Sequence, residues 1–347
     1  MPPIYAKKVL SFLVLGLWIA WNIALSPAAA QGPGAGPLLE KPQPTSETPG
    51  PAEEKQEAAP TTCGPLISDT CIPIEEHHAS LQWLGALNIY SASFSPNWRA
   101  VSTKGNFYTF NMPVKLTYGP TKNLETYIVV PFIVDWAGNL DRGNPLVGIT
   151  HNGERSASYA GLGDITTVAK YLVLEEGDLR PAVTLVGGVG WPSGHAHHLN
   201  PRFLATDAVG TGSFNFITGF NLYKWVKPFL LYSNIWLNSP VNMFKLRSSD
   251  VPQAVRNREN VTFNLAAEYP LNKQWILLLE MYSTWFWENP GTETLGFQSP
   301  TPVLGFLPGV EYVYSEKWSF SAGCAFDALG KFGTQYITPM ATVYYNF

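Results

Sequence analysis

The sequence predicts an all-β protein, a transmembrane antiparallel β-barrel of about 12 strands preceded by a disordered N-terminal tether. Three observations favour this fold class. Charged residues make up only 14% of the 347 residues and aromatic residues another 14%, whereas about 25% of residues are charged in a typical soluble domain. From residue 79 onward, apolar and polar residues alternate through long segments. An export signal stands at the N-terminus.

The export signal covers residues 1–30. Lys7 and Lys8 precede an apolar run over 9–25, and small residues follow up to Ala30. A basic start, a short apolar stretch and a small-residue end are typical of cleaved signal peptides. We therefore expect cleavage after Ala30. An uncleaved anchor helix is the alternative, and an apolar run of about 17 residues is at the lower limit for spanning a bilayer.

Residues 31–78 are predicted to form a periplasmic tether. The stretch 31–62 is rich in Pro and Glu and lacks aromatic residues, so it buries too little surface to offset the entropy lost on ordering. Cys63 and Cys71 follow in this exported segment, where a small disulfide loop between them is expected. Free thiols are the alternative.

Residues 79–347 contain the predicted barrel strands. Side chains on one face of a strand recur with a period of two, and this period predicts strands at 80–94, 106–118, 123–136, 160–174, 181–192, 210–224, 228–239, 259–270, 274–287, 302–314, 317–328 and 335–347. These strands are longer than the five or six residues typical of soluble proteins. Short and long connections alternate between them, as in outer-membrane barrels. An even strand number places both termini on the short-turn, periplasmic side.

The C-terminal strand resembles an assembly signal. Val343, Tyr345 and the terminal Phe347 occupy alternate positions at the end of the chain. A terminal aromatic residue preceded by apolar residues at every second position resembles the signal that the outer-membrane barrel assembly machinery recognises. The expected partners are therefore this machinery and the lipid and lipopolysaccharide of the outer membrane.

Several short motifs occur in an order that resembles a known family. They are Gly161-Leu162-Gly163-Asp164, Lys170-Tyr171, Arg180-Pro181-Ala182, Trp191-Pro192-Ser193-Gly194 and Gly210-Thr211-Gly212-Ser213. Over roughly 79–347 the chain resembles the outer-membrane family described as "putative MetA-pathway of phenol degradation". The resemblance implies a transporter-like barrel associated with the breakdown of aromatic compounds, without an assigned catalytic set.

Charged and tyrosine side chains on the predicted inward faces are the candidate lumen-lining residues. They are Lys115, Glu125, Tyr127, Asp135, Asp164, Lys170, Glu268, Glu280, Tyr282, Glu311 and Asp327. Two compatible interpretations remain open: a hydrogen-bonded network that holds the barrel shape, and a polar path that favours cations or neutral polar solutes. Twelve strands lie between the filled barrels of about eight strands and the open channels of 16 to 18. We therefore expect a narrow or partly occluded lumen.

The predicted outer loops carry two further groups of candidates. The arginines are Arg142, Arg155, Arg202, Arg247, Arg256 and Arg258. Guanidinium groups bind phosphate in a bidentate manner, so these residues are candidates for lipopolysaccharide head groups, with ordinary solvated loops as the alternative. His195, His197 and His198 are weak metal candidates and, by default, solvated loop residues. No metal and no cofactor are expected.

The composition and motifs also exclude or disfavour several functions. A formal net charge of −4 argues against nucleic-acid binding, which depends on clustered Lys and Arg. No Gly-x-Ser-x-Gly motif is present and none of the six histidines lies in a predicted strand, so an enzyme is not expected. A lipid-modifying hydrolase of the outer membrane remains an alternative, because such enzymes lack this motif. A structural barrel whose tether contacts the cell wall is another.

The sequence therefore predicts an outer-membrane channel for the passive uptake of small molecules in a two-membrane bacterium. Its tether would lie in the periplasm. The family resemblance suggests aromatic or other hydrophobic compounds as solutes.

Overall fold

A computed structural model describes residues 62–102, 105–140, 154–242, 259–287 and 301–347. Strands dominate these residues, and their bounds are β1 Ala79–Phe94, β2 Ala100–Ser102, β3 Asn106–Thr121, β4 Leu124–Gly138, β5 Ala157–Leu162, β6 Thr166–Leu174, β7 Ala182–Gly190, β8 Ser213–Val226, β9 Phe229–Asn242, β10 Asn260–Pro270, β11 Trp275–Phe286, β12 Thr301–Val313, β13 Trp318–Gly330 and β14 Thr334–Asn346. One short 3₁₀ helix spans Pro201–Phe203. In the part of the chain that the structure describes, no helix has the length and apolar content needed to cross a membrane.

The strands close into a 12-stranded antiparallel barrel. Each strand pairs with its neighbours in chain order, and β14 pairs with β1, for example at Leu81 opposite Tyr345. β5 and β6 both pair with β4, so they are two halves of one barrel strand. β2 is a short strand that pairs with β1 beside the rim. The predicted fold class and strand number are confirmed.

The exterior of the barrel is apolar. On β11, Trp275, Leu277, Leu279 and Trp285 are exposed, whereas Ile276 and the other residues of the opposite face are mostly buried. The two tryptophans lie near the two ends of the strand. An apolar band bounded by aromatic residues is the surface that transmembrane barrels present to lipid.

The barrel strands depart from their predicted bounds by up to three residues, and one of them is interrupted. The strand expected at 160–174 is interrupted at 163–165, where Asp164 turns toward a neighbouring loop and the register with β4 shifts by one residue, from Phe132 opposite Leu162 to Val129 opposite Thr166. β7 ends before Trp191 and β8 begins only at Ser213. The intervening loop packs beside β5, where the 3₁₀ helix contacts that strand.

Residues 62–78, which the sequence analysis assigns to the tether, run through the barrel and end with exposed residues 75–78 at its rim; we refer to 62–78 as the inner segment. The segment meets the barrel at the short β3–β4 turn, where His77 N–H donates to the Gly119 carbonyl at 2.7 Å. Leu66 packs against Ile276 and Leu307 on the inward faces of β11 and β12. Part of the buried core is thus formed between the inner segment and the barrel wall.

The turn Gly177–Arg180 lies between the end of β6 and the start of β7 in the chain. Within the turn, Gly177 N–H donates to the Arg180 carbonyl at 3.1 Å.

Candidate functional site

A buried ionic network connects the inner segment to β3, β4 and β6. The Lys170 ammonium is fully buried and lies 2.7 Å from Glu125 Oε1 and 3.3 Å from Asp69 Oδ2. It also donates to the carbonyl of Thr70 at 3.0 Å. Lys115 Nζ lies 3.3 Å from the other oxygen of Asp69. Two ammonium groups thus face two carboxylates, which compensates the cost of burying each charge.

Asp69 remains a charged member of this network. Burial by itself would raise its pKa, but the ammonium groups of Lys170 and Lys115 outweigh that effect and hold the pKa of Asp69 below its ordinary value. The amide groups of two asparagines also contact this part of the segment, since Asn221 donates to Asp69 Oδ2 at 3.1 Å and Asn234 to the Asp69 carbonyl at 2.9 Å. Asp69 is therefore a central anchor of the inner segment.

Glu280 binds the backbone of the inner segment. Its Oε1 accepts hydrogen bonds from the N–H groups of Leu66 at 2.6 Å and Ile67 at 3.1 Å. Its Oε2 accepts from Ile67 at 3.2 Å and Ser68 at 2.7 Å. Hydrogen bonds to a charged acceptor are stronger than neutral ones, so one carboxylate on β11 fixes three consecutive residues.

Two further carboxylates hold the ends of the segment. Glu311 on β12 accepts from the Thr62 hydroxyl at 2.8 Å and from the Cys63 N–H at 2.9 Å. Glu125 on β4 accepts from the Ile74 N–H at 2.9 Å. Carboxylates from two sides of the barrel, the paired strands β11 and β12 on one side and β4 on the other, therefore converge on one chain segment.

The other predicted lumen residues bond mainly to the wall itself. Asp327 accepts from the Tyr282 hydroxyl at 2.9 Å and from the Tyr336 N–H at 2.8 Å. Glu268 is fully buried and accepts from the Tyr232 hydroxyl at 3.2 Å. Asp135 is also buried. These contacts fit a polar network within the barrel wall.

A cavity of about 200 Å³ remains between the inner segment and the wall. The Lys115 ammonium lies 4.0 Å from the ring centre of Tyr127, which also lines the cavity. The wall side is formed mainly by β1, β3 and β4, and the lining includes Gln82, Leu84, Pro113, Lys115, Thr117, Glu125, Tyr127, Val129, Trp236 and Tyr344.

Asp164 binds a loop beside the break in the barrel wall. Its Oδ1 accepts from the Gly194 N–H at 2.9 Å, and its Oδ2 accepts from the Thr211 N–H at 2.8 Å and from the Thr211 hydroxyl. A Cβ on Gly210 would lie 2.5 Å from the backbone carbon of Gly194, so the two loop ends touch only because both residues are glycines. Three of the sequence motifs thus form one local structure.

The predicted disulfide between Cys63 and Cys71 is not formed, and this expectation was wrong. Both cysteines are free thiols. Cys63 Sγ donates to the Ser319 hydroxyl at 2.9 Å, and Cys71 Sγ lies 3.3 Å from the Thr184 hydroxyl. The spacing argument considered only the local chain, whereas contacts with distant strands hold the two thiols apart.

The loop candidates are only partly within the described residues. Arg155 Nε donates to the Leu140 carbonyl at 2.6 Å, and Arg202 lies in the 3₁₀ helix. His195 Nδ1 lies 2.9 Å from the Asp207 carbonyl. Among the residues with described positions, no group of three or more His, Cys, Asp or Glu is arranged to hold a metal. The candidates outside the described residues are Arg142, Arg247, Arg256 and Arg258.

The inner segment is the part of the site that sequence reasoning missed. The available signal was a change of composition at about residue 62, where the Pro- and Glu-rich stretch gives way to apolar residues that include Leu66, Ile67, Ile72 and Ile74. Apolar residues at this density do not fit a solvated tether.

Comparisons with known proteins agree with this architecture. The COG4313 outer membrane channel from Pseudomonas putida F1 superposes with a TM-score of 0.63 at 11% identity, covering 82% of this chain and 100% of the other. The CymD monoaromatic hydrocarbon channel gives 0.39 at 9% identity, with 79% and 89% covered. The toluene transporter TodX of Pseudomonas putida gives 0.36 at 8%, with 78% and 89% covered. Only the first of these three scores indicates a shared fold.

No curated protein sequence matches the chain. The model of one family matches residues 99–331, which include most of the barrel and all the motifs quoted above. The chain therefore belongs to the family described as "Putative MetA-pathway of phenol degradation".

Proposed function

We propose that this protein is a channel of the outer membrane that admits small, uncharged molecules, with single-ring aromatic compounds as its solutes. The cavity of about 200 Å³ beside the inner segment carries this proposal. An apolar cavity of about 150 Å³ in another protein is large enough to bind benzene. The space left in this lumen therefore suits a molecule of one ring.

The lining of the cavity matches an uncharged aromatic solute. Tyr127, Trp236 and Tyr344 offer aromatic surfaces, and Leu84 and Val129 are aliphatic. The charged side chains that line the cavity, Asp69, Lys115 and Glu125, all take part in ion pairs, so none of them offers an unpaired charge to a solute. Ser68, Gln82 and Thr117 also line the cavity, and their polar groups can form hydrogen bonds with a solute that carries a hydroxyl.

The comparisons support the same proposal. The structure with the shared fold is named an outer membrane channel, and the description of the family refers to phenol degradation. We further propose that residues before the inner segment lie in the periplasm. Val343, Tyr345 and Phe347 would serve as the assembly signal, and the outer-loop arginines would bind the phosphates of lipopolysaccharide.

Uptake by intact cells tests the proposal. Cells that produce the protein should take up labelled phenol or toluene, at concentrations far below saturation, faster than cells that lack it. Trp236→Ala enlarges the cavity and removes an aromatic surface, so it should change the uptake rate. Trp285→Leu on the lipid-facing surface is the matched control and should leave the rate unchanged.

Equal uptake with and without the protein would contradict the channel assignment. Fatty acids released from outer-membrane lipid by the purified protein would instead support the hydrolase alternative.

A further inference from the structure

The Asp69 carboxylate of the inner segment lies in a site that the barrel wall builds. Lys115 Nζ on β3 lies 3.3 Å from Asp69 Oδ1, and Lys170 Nζ on β6 lies 3.3 Å from Asp69 Oδ2. The amide nitrogen of Asn221 on β8 donates to Asp69 Oδ2 at 3.1 Å. Both oxygens of one carboxylate thus face donors from three strands of the wall, and hydrogen bonds between charged groups are the strong ones.

Other contacts within the wall hold two of these donors in place. Trp236 Nε1–H donates to the amide oxygen of Asn221 at 2.8 Å, so the amide nitrogen of Asn221 points toward Asp69. The Lys170 ammonium lies 2.7 Å from Glu125 Oε1, and both partners of this ion pair belong to the wall. The donors therefore stay together when Asp69 leaves, which reduces the ordering that the binding of a new ligand requires.

The charges of this site balance when the inner segment is docked. The ammonium groups of Lys115 and Lys170 face the carboxylates of Glu125 and Asp69. Three of these four side chains belong to the wall, and together the three carry one positive charge. The inner segment supplies the remaining negative charge through Asp69. Since a positive site in a narrow lumen attracts anions, the wall without the segment should take up one negative charge from solution.

The space beside Asp69 indicates the size and charge of such a ligand. The cavity of about 200 Å³ adjoins Asp69 and Lys115 and is lined by the aromatic rings of Tyr127 and Trp236. A cavity of about 150 Å³ holds benzene, so a single ring attached to the carboxylate has room there. Glu280, on the opposite side of the lumen, disfavours a second negative charge on the ligand. The matching ligand is therefore a monocarboxylate with one ring.

The inner segment folds back on itself, so that Asp69 lies deeper in the lumen than either end of the segment. The fold is close, since a Cβ on Gly64 would lie 2.4 Å from Thr70 Cγ2. Thr62 contacts β12 two residues before that strand ends, and Ile74 contacts the second residue of β4. Both contacts lie beside short turns, whereas Asp69 contacts the sixth residue of β9. A ligand that enters from the opposite end of the barrel therefore reaches Asp69 before the ends of the segment.

We propose that Lys115, Lys170 and Asn221 form a binding site for single-ring monocarboxylates, and that such a ligand displaces Asp69 and releases the inner segment. One carboxylate replaces another, so the charge of the site does not change. Asp69 is an internal competitor: the apparent affinity of the ligand is its intrinsic affinity multiplied by the fraction of molecules in which Asp69 has left the site. Release of the segment widens the lumen, and this last step rests on the channel function proposed above.

Limited proteolysis of the full-length mature protein tests the displacement, with benzoate as the probe. Benzoate should increase the cleavage rate of 62–78 at least fivefold, and the effect should saturate with concentration. Benzyl alcohol has the ring without the charge and should leave the cleavage rate unchanged. Sodium chloride at the same ionic strength should also leave it unchanged, because the effect requires a ligand that fits the site and not the screening of charges.

Binding of radiolabelled benzoate to variants tests the roles of the charges. Asp69→Asn keeps the size of the competitor and removes its charge, so benzoate should bind at least tenfold more tightly than to the wild type. Lys115→Gln removes the positive charge of the vacated wall and should weaken binding at least tenfold. Lys122→Gln is the matched control, since Lys122 is an exposed lysine that pairs with Glu175, and it should bind benzoate as the wild type does.

Equal acceleration of cleavage by benzyl alcohol or sodium chloride would overturn the inference, and so would unchanged benzoate binding in Asp69→Asn. If Lys115→Gln does not fold, the Asp69→Asn measurement decides. These readouts need no transport, so the two proposals can fail separately. If benzoate binds and releases the segment while toluene uptake is equal with and without the protein, the channel function fails and the site stands. If uptake is faster with the protein but benzoate leaves 62–78 protected, the site fails and the channel function stands.

Discussion

Replacing Glu280 by Gln should release the inner segment without unfolding the barrel. The carboxylate accepts from the N–H groups of Leu66, Ile67 and Ser68, and one of its two oxygens becomes an NH₂ group in Gln. This group can only donate, so it faces a backbone N–H and leaves that donor unsatisfied in the interior.

The expected cost follows from these contacts. A buried donor without an acceptor costs about 1–3 kcal/mol, and hydrogen bonds to a charged acceptor exceed neutral ones by about 1 kcal/mol each. One unsatisfied donor and two weakened bonds therefore amount to about 3–5 kcal/mol. Since about 1.4 kcal/mol is a tenfold change in an equilibrium constant, the undocked population should rise by more than 100-fold.

Limited proteolysis measures this population. When the segment opens and closes faster than the protease cuts, the cleavage rate is proportional to the open fraction. Glu316→Gln in the exposed β12–β13 turn makes the same chemical change and should leave the rate unaltered. The heat-dependent shift of gel mobility typical of folded barrels should persist in both variants. A change of less than threefold in the cleavage of 62–78 would refute the reasoning.

Three further predictions concern other parts of the molecule. Because the folded-state pKa of Asp69 lies below its ordinary value of 3.8, the contribution of Asp69 to docking should be lost only as the pH falls through this lowered pKa. Between about pH 4 and pH 2, cleavage of 62–78 by pepsin should therefore increase more in the wild type than in Asp69→Asn; an equal increase in both would contradict this. Asp164→Ala removes the acceptor of the Gly194 and Thr211 N–H groups, so protease should cut 193–211 faster while 62–78 stays protected. Equal cleavage of both regions would show that Asp164 does not act on this loop alone. Deletion of Phe347 should reduce insertion into the outer membrane while export continues. The control variant Phe347→Tyr should insert normally. Full insertion of the deletion variant would show that the terminal residue is not part of the assembly signal.

The barrel could be predicted from the sequence because the alternation of apolar and polar residues that marks each strand is visible within that strand alone. On β11, for example, alternation alone indicates a strand over 274–287, and the structure has Trp275–Phe286. The same alternation identifies Glu125, Lys170 and Glu280 as buried polar residues on inward faces. The period of two specifies which face a residue occupies, and it needs no knowledge of what lies inside the barrel.

The partners of those residues could not be predicted in the same way. Leu66 and Glu280 are 214 positions apart in the chain, and residues 62–78 have no period that would reveal a binding site. Composition suggested a solvated tether, and the spacing of Cys63 and Cys71 suggested a local bond. Both arguments considered only neighbours in sequence, whereas the structure places these residues against strands on several sides of the lumen.

The order of the chain gives the inner segment a role in folding. It precedes β1, yet its hydrogen bonds reach from Glu125, 51 positions from Ile74, to Glu311, 249 positions from Thr62. All these acceptors surround it only after β14 has paired with β1. The segment therefore behaves as an intramolecular ligand that binds the closed sheet and not the open one. By linkage, its binding free energy adds to the stability of the β1–β14 seam, and contacts of such long range form late.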